Sequence, residues 1–270
     1  MMASVPISTF DADSPTADLK ETLDRDGVLV VRGLLTPSEL EAVRTGVRAL
    51  VSTAPLGDNR FDGFKTRRIF DPLARTRLLD SLVLHPVVQG LVKATLSWPY
   101  QLGMTVLSEV QPGEVAQVQH RDGAVYPLPA EFPEVMVNTI WALDEWRFEN
   151  GATMVVPGSH HDRALRTAEP AVMPAGSALV YAGGLLHGAG ANPAATPRLG
   201  LIVEHVARWL RPAECHPLSV GPDLAATLVP DLQELLGFNQ TNEYFGFIAG
   251  RPPLAWLSQK ASAPLNKLHP

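Results

Sequence analysis

The sequence has a single cysteine, Cys215, among its 270 residues. One cysteine cannot form a disulfide within the chain, and nothing here indicates an oxidising compartment. No apolar run approaches the roughly 18 residues that a membrane-spanning helix needs. The acidic opening, MMASVPISTFDAD, lacks the apolar stretch of a secretory signal. We therefore expect a cytoplasmic protein with no membrane association.

Basic residues are also in the minority. The chain has 22 lysines and arginines against 28 aspartates and glutamates, which gives a formal net charge of −6. The basic residues are scattered, and no basic patch of the kind that binds nucleic acid is visible. Hydrophobic residues make up 46% and charged residues 19% of the chain, as is typical of a globular protein with a sizeable core.

The first 98 residues are predicted to be rich in helix. The clearest helix starts at Thr36, which is followed by Pro37 and, three residues after the cap, by Glu39. Its apolar stripe continues to about Leu50. The other elements predicted in this part are helices over 17–26, 73–82 and 86–96, a strand over 28–31 and a long loop over 53–66.

After Tyr100 the pattern changes to short β-prone runs separated by Gly, Pro and Asn turns. These runs cover 101–110, 114–120, 135–142, 153–156, 177–182 and 199–208. Many short strands at this spacing predict a double-stranded β-helix, or jelly roll. The predicted fold class is mainly β with flanking helices, in one domain over 1–270. This domain has a helix-rich part (1–98), a jelly-roll core (99–210) and a helical or irregular C-terminal extension (211–270), with a helix over 224–236 interrupted at Pro230.

Two potential metal ligands, His120 and Asp122, stand two residues apart at the end of the run 114–120. In an extended chain this spacing places both side chains on one face. A third ligand could come from another histidine, and the small residues at 188–190 leave room for a ligand beside His187. Two imidazoles and one carboxylate form the ligand set of non-haem Fe(II) oxygenases. The competing histidines are His160 and His161, which lie on a predicted turn, and His205, which lies in a predicted strand.

Arg198 follows His187 by eleven residues and begins a strand-like run, LGLIVEHV. A guanidinium group can grip a carboxylate through two parallel hydrogen bonds. A surface arginine at the end of a strand is the alternative interpretation, because Pro197 marks a turn just before it.

The sequence around these residues resembles that of the phytanoyl-CoA dioxygenase family of Fe(II)/2-oxoglutarate-dependent oxygenases. The likeness covers roughly residues 20 to 210. It rests on motifs that occur in the same order as in the family: TRR (66–68), LHP (84–86), QPGE…QHRD (111–122), WALDE (141–145) and NGATMVVPGSH (150–160).

The resemblance implies that His120, Asp122 and His187 bind Fe(II) and that Arg198 holds the distal carboxylate of 2-oxoglutarate, with O2 as the further reactant. Gln117 and Thr153 match positions that contact 2-oxoglutarate in relatives. Gln117 has the wrong parity for a regular strand, so a bulge or twist must turn it inward. In related halogenases a small residue replaces the carboxylate ligand, so the aspartate here favours hydroxylation or another oxidation over halogenation.

The implied activity is the oxidation, by default the hydroxylation, of a C–H bond in a small and hydrophobic metabolite, such as a natural-product or lipid-like intermediate. Succinate and CO2 are the coproducts. Candidate substrate contacts are Tyr126, Arg67 and Trp146, and we expect a monomer or homodimer. Two alternatives remain open: a jelly-roll binding protein that kept its metal ligands but lost catalysis, and a cupin-type metalloenzyme that does not use 2-oxoglutarate.

Overall fold

Two β-sheets and a set of helices make up the computed structural model, which describes residues 6–129, 131–165, 167–238, 246–248, 251–253 and 255. The strands are β1 (Thr9–Asp11), β2 (Val28–Arg32), β3 (Thr66–Phe70), β4 (Tyr100–Val110), β5 (Met136–Ala142), β6 (Met154–Val155), β7 (Glu169–Pro170), β8 (Ala178–Ala182), β9 (His187–Gly188) and β10 (Arg198–Ala207). The α-helices are α1 (Thr16–Asp26), α2 (Pro37–Val51), α3 (Asp80–Val83), α4 (Pro86–Thr95), α5 (His216–Ser219), α6 (Gly221–Ala225) and α7 (Pro230–Leu235). Short 3₁₀ turns cover Pro72–Ala74, Asp122–Val125 and Phe148–Asn150.

The larger sheet has seven strands in the order β1-β2-β8-β5-β10-β4-β3. Its neighbours pair antiparallel, except for the parallel pair of β1 and β2. A smaller sheet has the order β7-β6-β9. Most neighbouring strands in the larger sheet are not consecutive in the sequence, and the smaller sheet supplies a second layer, as in a jelly roll. The predicted fold class, mainly β with flanking helices, is confirmed.

Strand β10 lies near the centre of the larger sheet and has a different function on each face. Its odd-numbered residues Leu199, Leu201 and Val203 belong to the main hydrophobic core, which also includes residues of α1, α2 and α4. Its even-numbered residues from Arg198 to Glu204 line a cavity on the other face. Because side chains of a strand alternate between its faces, one strand supports both the core and the site.

The start of α2 is the local feature that the sequence specifies best. The Thr36 hydroxyl accepts a hydrogen bond from the Glu39 backbone N–H at 3.3 Å, and the Glu39 carboxylate accepts one from the Thr36 N–H at 2.8 Å. This reciprocal arrangement satisfies two backbone donors at the helix start. The predicted N-cap is confirmed, and so is the interruption before Pro230, where α7 begins.

Two predicted elements are wrong. The run 114–120 is not a regular strand, because it forms two isolated β-bridges, Glu114–Asn192 and His120–His187, instead of a continuous ladder. The helix predicted over 73–82 is replaced by a 3₁₀ turn at Pro72–Ala74 and by α3. Leu73 and Leu79 are both fully buried, and the stretch between them forms a turn instead of continuing the helix. Among the described helices, none has the length and apolar character needed to cross a membrane.

Candidate metal and cosubstrate site

His120, Asp122 and His187 converge at one side of the cavity. The distance from His120 Nε2 to Asp122 Oδ1 is 3.2 Å, and the distance from His187 Nε2 to Asp122 Oδ2 is 3.5 Å. One donor atom from each residue lies within 4.8 Å of the others. Within the described part of the chain, this is the only cluster of three or more such side chains spaced to hold a metal ion.

The backbone brings the early pair and the late histidine together. His120 N–H donates to the His187 carbonyl at 2.8 Å, and His187 N–H donates back to the His120 carbonyl at 3.0 Å. Gln117 N–H extends this contact by donating to the Ala189 carbonyl at 2.9 Å. Asp122 then starts a 3₁₀ turn, so the chain bends away just after the second ligand. A two-way backbone bridge therefore fixes the spacing of residues that are 67 positions apart in the sequence.

The tautomers of the two histidines and the hydrogen bonds that hold the three side chains fit the binding of a divalent transition metal. His120 Nδ1 lies 3.0 Å from the Val118 carbonyl, and His187 Nδ1 lies 3.1 Å from the Leu185 carbonyl. In the neutral imidazoles these contacts place the ring proton on Nδ1, so that Nε2, which faces Asp122 in both histidines, is the atom that would bind a metal. Asp122 Oδ2 accepts hydrogen bonds from Asn138 Nδ2 at 2.6 Å and from the Tyr181 hydroxyl at 3.1 Å.

The electrostatics of the three ligands follow from burial and from their mutual contacts. Burial raises the pKa of Asp122, but its hydrogen bond with His120 and the nearby imidazoles outweigh this and lower the pKa overall. Burial lowers the pKa of His187, and the attraction of Asp122 offsets this only in part. Burial also lowers the pKa of His120, but there the hydrogen bond and charge of Asp122 prevail and raise it. An ionised carboxylate and a neutral His187 are the forms that bind metals.

The cavity beside the triad has a volume of about 90 Å³. A single water needs roughly 10–15 Å³ by this measure, so the space suits a small organic acid or several waters. Its wall is largely apolar between the polar groups. The lining residues besides the triad and Arg198 are Phe61, Arg68, Met104, Ser108, Gln117, Ile140, Trp146, Thr153, Tyr181, Ala189, Gly200, Ile202 and Glu204.

Arg198 lies in the wall of this cavity and is only 4% exposed. Its guanidinium carbon is 3.9 Å from the centre of the Trp146 ring. The buried Nε atom has no hydrogen-bond partner among the described residues, and none of the ion pairs in that part of the chain includes Arg198. Burial lowers the pKa of Arg198 to about 9, which leaves it cationic at neutral pH. A buried cation of this kind favours an anionic ligand.

The two further cosubstrate candidates also reach the cavity. Thr153 is 4% exposed and lines the wall. Gln117 reaches the wall because the run 114–120 is irregular, so no bulge in a regular strand is needed. Both ends of its amide are engaged: Nε2 donates to the Phe61 carbonyl at 2.8 Å and Oε1 accepts from Ala189 N–H at 3.1 Å. Their contact with 2-oxoglutarate remains a prediction.

The three candidate substrate contacts are not brought together. Trp146 lines the cavity, but it lies against Arg198. Tyr126 lines a different cavity, and its hydroxyl donates to the Arg211 carbonyl at 2.8 Å. Arg67 donates to the Ala54 carbonyl and is absent from the cavity wall. Its neighbour Arg68 is the residue of this pair that lines the cavity, because adjacent side chains of β3 point to opposite faces.

Several cavity residues were not predicted as site residues from the sequence. Phe61 comes from the predicted loop 53–66, and its ring centre is 4.8 Å from that of His120. Glu204 lies on β10 in alternation with Arg198, a periodic signal that was available in the sequence. No local signal marked Asn138 and Tyr181, the two residues that support the Asp122 carboxylate.

The remaining candidate histidines have other contacts. His160 and His161 both place Nε2 near the Asp24 carbonyl, at 3.1 Å and 2.8 Å. His205 is fully buried on the core face of β10, 3.0 Å from Gln89 Nε2, and burial lowers its pKa to about 4.

Comparison with known proteins identifies the family. The family model of phytanoyl-CoA dioxygenase (PhyH) matches residues 23–200. The chain is 31% identical to Dioxygenase FrzG of Cladobotryum sp, over 88% of this chain and 89% of that protein. It is 31% identical to Dioxygenase FUM3 of Gibberella moniliformis, over 83% of each.

Among solved structures, the fold is similar to that of SnoN, a non-heme alpha ketoglutarate dependent epimerase from nogalamycin biosynthesis. The TM-score is 0.64 at 20% identity, over 73% of this chain and 86% of SnoN. A second structure of SnoN contains Fe3+, alpha ketoglutarate and nogalamycin RO. The chain belongs to the phytanoyl-CoA dioxygenase family of Fe(II)/2-oxoglutarate-dependent oxygenases, and it is a dioxygenase.

Proposed function

We propose that this protein hydroxylates a C–H bond of a small, largely apolar metabolite, with Fe(II) and 2-oxoglutarate bound in the cavity described above and with succinate and CO2 as coproducts. One observation carries the proposal. A cluster of two imidazoles and a carboxylate faces the same cavity as a buried guanidinium that lacks a hydrogen-bonded partner at Nε.

His120, Asp122 and His187 are the residues that would hold the iron. Their supporting contacts restrict how each side chain can turn: backbone carbonyls fix both imidazoles, while Asn138 and Tyr181 fix the carboxylate. Such preorganised ligands lose little freedom when a metal binds. Together, Fe(II), 2-oxoglutarate and O2 supply an oxidant that can break an aliphatic C–H bond.

Arg198 would bind the distal carboxylate of 2-oxoglutarate. Its flat guanidinium lies over the Trp146 ring, which limits its rotation and shields one face from water. The cost of keeping this cation buried falls when a carboxylate pairs with it. Thr153 lines the same cavity and would add a hydroxyl to this cosubstrate pocket.

The apolar part of the wall would exclude water from the reacting groups. Ile140 and Ile202 line the cavity alongside Trp146. A dry pocket strengthens the contact between Arg198 and an anion and protects reactive species from side reactions. The same apolar wall, together with the absence of a basic patch in the sequence, favours a small and largely apolar substrate.

The similar proteins support a small-molecule substrate. SnoN, whose fold this chain shares, has been solved with nogalamycin RO, a small molecule. Because SnoN is an epimerase, the fold alone does not determine the reaction outcome. Asp122 disfavours halogenation, because its carboxylate occupies the position at which related halogenases have a small residue, and hydroxylation is proposed as the default outcome of the oxidations that remain.

The test is succinate release from 2-oxoglutarate in the presence of Fe(II) and O2, screened over a panel of hydrophobic metabolites. We expect wild-type protein to release succinate faster with its substrate present and to yield a product heavier by one oxygen atom. His120→Ala should lower succinate release by about 100-fold or more, because one of the three metal ligands is lost.

His161→Ala is the matched control, since it removes a histidine that contacts the Asp24 carbonyl outside the cavity. Its activity should stay within about twofold of wild type. Wild-type succinate release by His120→Ala would overturn the metal assignment. A substrate that stimulates succinate release but gains no oxygen would overturn the assignment of hydroxylation.

A further inference from the structure

Glu204 is a buried carboxyl group in the cavity wall that the proposed reaction does not use. The residue is 5% exposed and lies on β10. Its side chain makes no hydrogen bond or ion pair with the residues that the structure describes, and Glu204 lines the cavity that holds the triad. A buried polar group without a partner is costly, and proteins keep few of them outside functional sites.

The position of Glu204 separates it from the cosubstrate pocket. Glu204 follows Arg198 by six residues on the same face of β10, which places the two about 20 Å apart along the strand. Directly across from Glu204, on β5, is Asn138, the residue that donates to the Asp122 carboxylate. Glu204 therefore lies on the triad side of the cavity, and Arg198 lies at the other end.

The neighbouring strand leaves space for this carboxyl group. Gly103 on β4 lies beside Glu204, and any Cβ atom at position 103 would collide with Glu204 Oε1. Met104 and Ile202 provide apolar wall next to it. Glu204 thus adds a carboxyl group between this apolar wall and the Asn138–Asp122 pair, and a few placed polar groups in a mainly apolar wall are a common way for a pocket to orient a ligand.

We propose that Glu204 is the polar anchor of the substrate and hydrogen-bonds an uncharged oxygen group, a hydroxyl or a carbonyl, on an otherwise apolar molecule. This inference rests on the proposed function, because it takes the space between the triad and Glu204 as the substrate site. The anchor would hold the substrate at the end of the cavity opposite Arg198 and would set which C–H bond faces the metal.

The charges of the cavity favour an uncharged partner over an ammonium group. Arg68 and Arg198 both line the wall, and the carboxylate of Asp122 is taken up by the metal site. A cationic ligand at Glu204 would lie close to the metal ion, in a low-dielectric cavity whose two arginines are also cationic. Burial also raises the pKa of Glu204 to about 8, so that at neutral pH the protonated carboxyl can donate as well as accept.

The test compares three probes and four proteins loaded with 2-oxoglutarate and with Zn(II) in place of Fe(II). The probes are cyclohexanol, methylcyclohexane and cyclohexylamine, the last of which is an ammonium ion at neutral pH. The proteins are wild type, Glu204→Gln, Glu204→Leu and, as the control, Glu145→Gln, which changes an exposed carboxylate paired with Arg147. Dissociation constants come from ligand-observed NMR titrations.

We expect wild type to bind cyclohexanol more tightly than methylcyclohexane or cyclohexylamine. Glu204→Leu should bind cyclohexanol about three- to tenfold more weakly, as the loss of one hydrogen bond predicts. Glu204→Gln, which keeps a donor and an acceptor, should stay within about threefold of wild type, and Glu145→Gln should match wild type. Circular dichroism verifies that each variant is folded.

Three results would overturn the inference: equal cyclohexanol affinity in wild type and Glu204→Leu, no measurable binding of cyclohexanol to wild type, or a preference for cyclohexylamine that both Glu204 variants lose equally. The last result would mean that an ionised carboxylate binds a cation. Binding of 2-oxoglutarate to wild type is measured on the same samples. If it is absent, the proposed function fails, while the comparison of probes still decides the role of Glu204.

Discussion

Replacing Arg198 by methionine should change stability and 2-oxoglutarate binding in opposite directions. Arg198 is buried, stacked on Trp146 and without a hydrogen bond from its Nε. Methionine has a similar length and an apolar body, so it can fill the same space without a charge. The ligand-free variant should be more stable than wild type, and 2-oxoglutarate should no longer stabilise it.

The size of the expected gain in stability follows from the cost of burying the Arg198 charge. The pKa of Arg198 falls from 12.5 to about 9, which corresponds to a cost of about 5 kcal/mol for the charged form at roughly 1.4 kcal/mol per unit. Loss of the stacking on Trp146 offsets about 0.5–2 kcal/mol of this. We therefore expect the variant to gain about 3–4 kcal/mol in its free energy of unfolding, in the upper part of the range of about 1–4 kcal/mol that is typical when buried charged groups become apolar.

Urea unfolding with and without 2-oxoglutarate, in the presence of Zn(II), measures both effects. At a ligand concentration of about 100 times Kd, wild type should gain about 2.7 kcal/mol, and Arg198→Met should gain almost nothing. Arg44→Met, which removes an arginine paired with Glu41 on α2, is the control and should keep the full ligand effect. A variant that is less stable than wild type and still fully stabilised by 2-oxoglutarate would refute the reasoning.

Three further predictions concern the triad support, the cavity carboxyl and the helix cap. Asn138→Ala removes a hydrogen bond to Asp122 and should weaken Zn(II) binding about 10–100-fold in a chelator competition assay; unchanged affinity would contradict the supporting role. Because burial raises the pKa of Glu204 from 4.5 to about 8, the stability that the protonated carboxyl contributes is present below about pH 4.5 and is lost as the pH rises through 8. Glu204→Gln should therefore gain stability relative to wild type between pH 5 and pH 9 in urea unfolding, and a pH-independent difference would exclude this titration. Thr36→Ala should lower the free energy of unfolding by about 1 kcal/mol, whereas no measurable loss would mean that the cap is not stabilising.

Local sequence patterns predicted those features whose structure depends on residues close together in the sequence. The cap at Thr36 and the proline after it define the start of α2 without reference to the rest of the fold. Alternation in β10 likewise separates its core face from its cavity face. The order of strands in the two sheets depends on pairing between distant segments, so the sequence predicted the fold class but not this order.

The failed strand at 114–120 shows the limit of propensity. Val115 and Val118 favour extended structure, but they are 66% and 65% exposed, and the segment pairs with another strand only at isolated points. A β-prone run forms a strand only when a partner strand is available. The same-face placement of His120 and Asp122 was predicted from a strand, yet the structure achieves it with a backbone bridge followed by a 3₁₀ turn.

The sequence alone could not predict which of the adjacent residues Arg67 and Arg68 lines the cavity. Arg68 is paired with Ser108 of β4, which also lines the cavity, and this register sets the face of each arginine. A shift of one residue would reverse the two. The placement of Phe61 in the cavity wall depends on the path of a long loop, and the sequence of that loop has no periodic pattern that predicts this path.

The most direct test of the central claim is the anaerobic titration of the protein with Fe(II) and 2-oxoglutarate, followed by visible absorption. If His120, Asp122 and His187 hold the iron and Arg198 holds the cosubstrate beside it, wild type should develop a weak charge-transfer band with one equivalent of each. The band should be absent in His120→Ala and should require a much higher 2-oxoglutarate concentration in Arg198→Met. No band in wild type, or an equal band in all three proteins, would contradict the account.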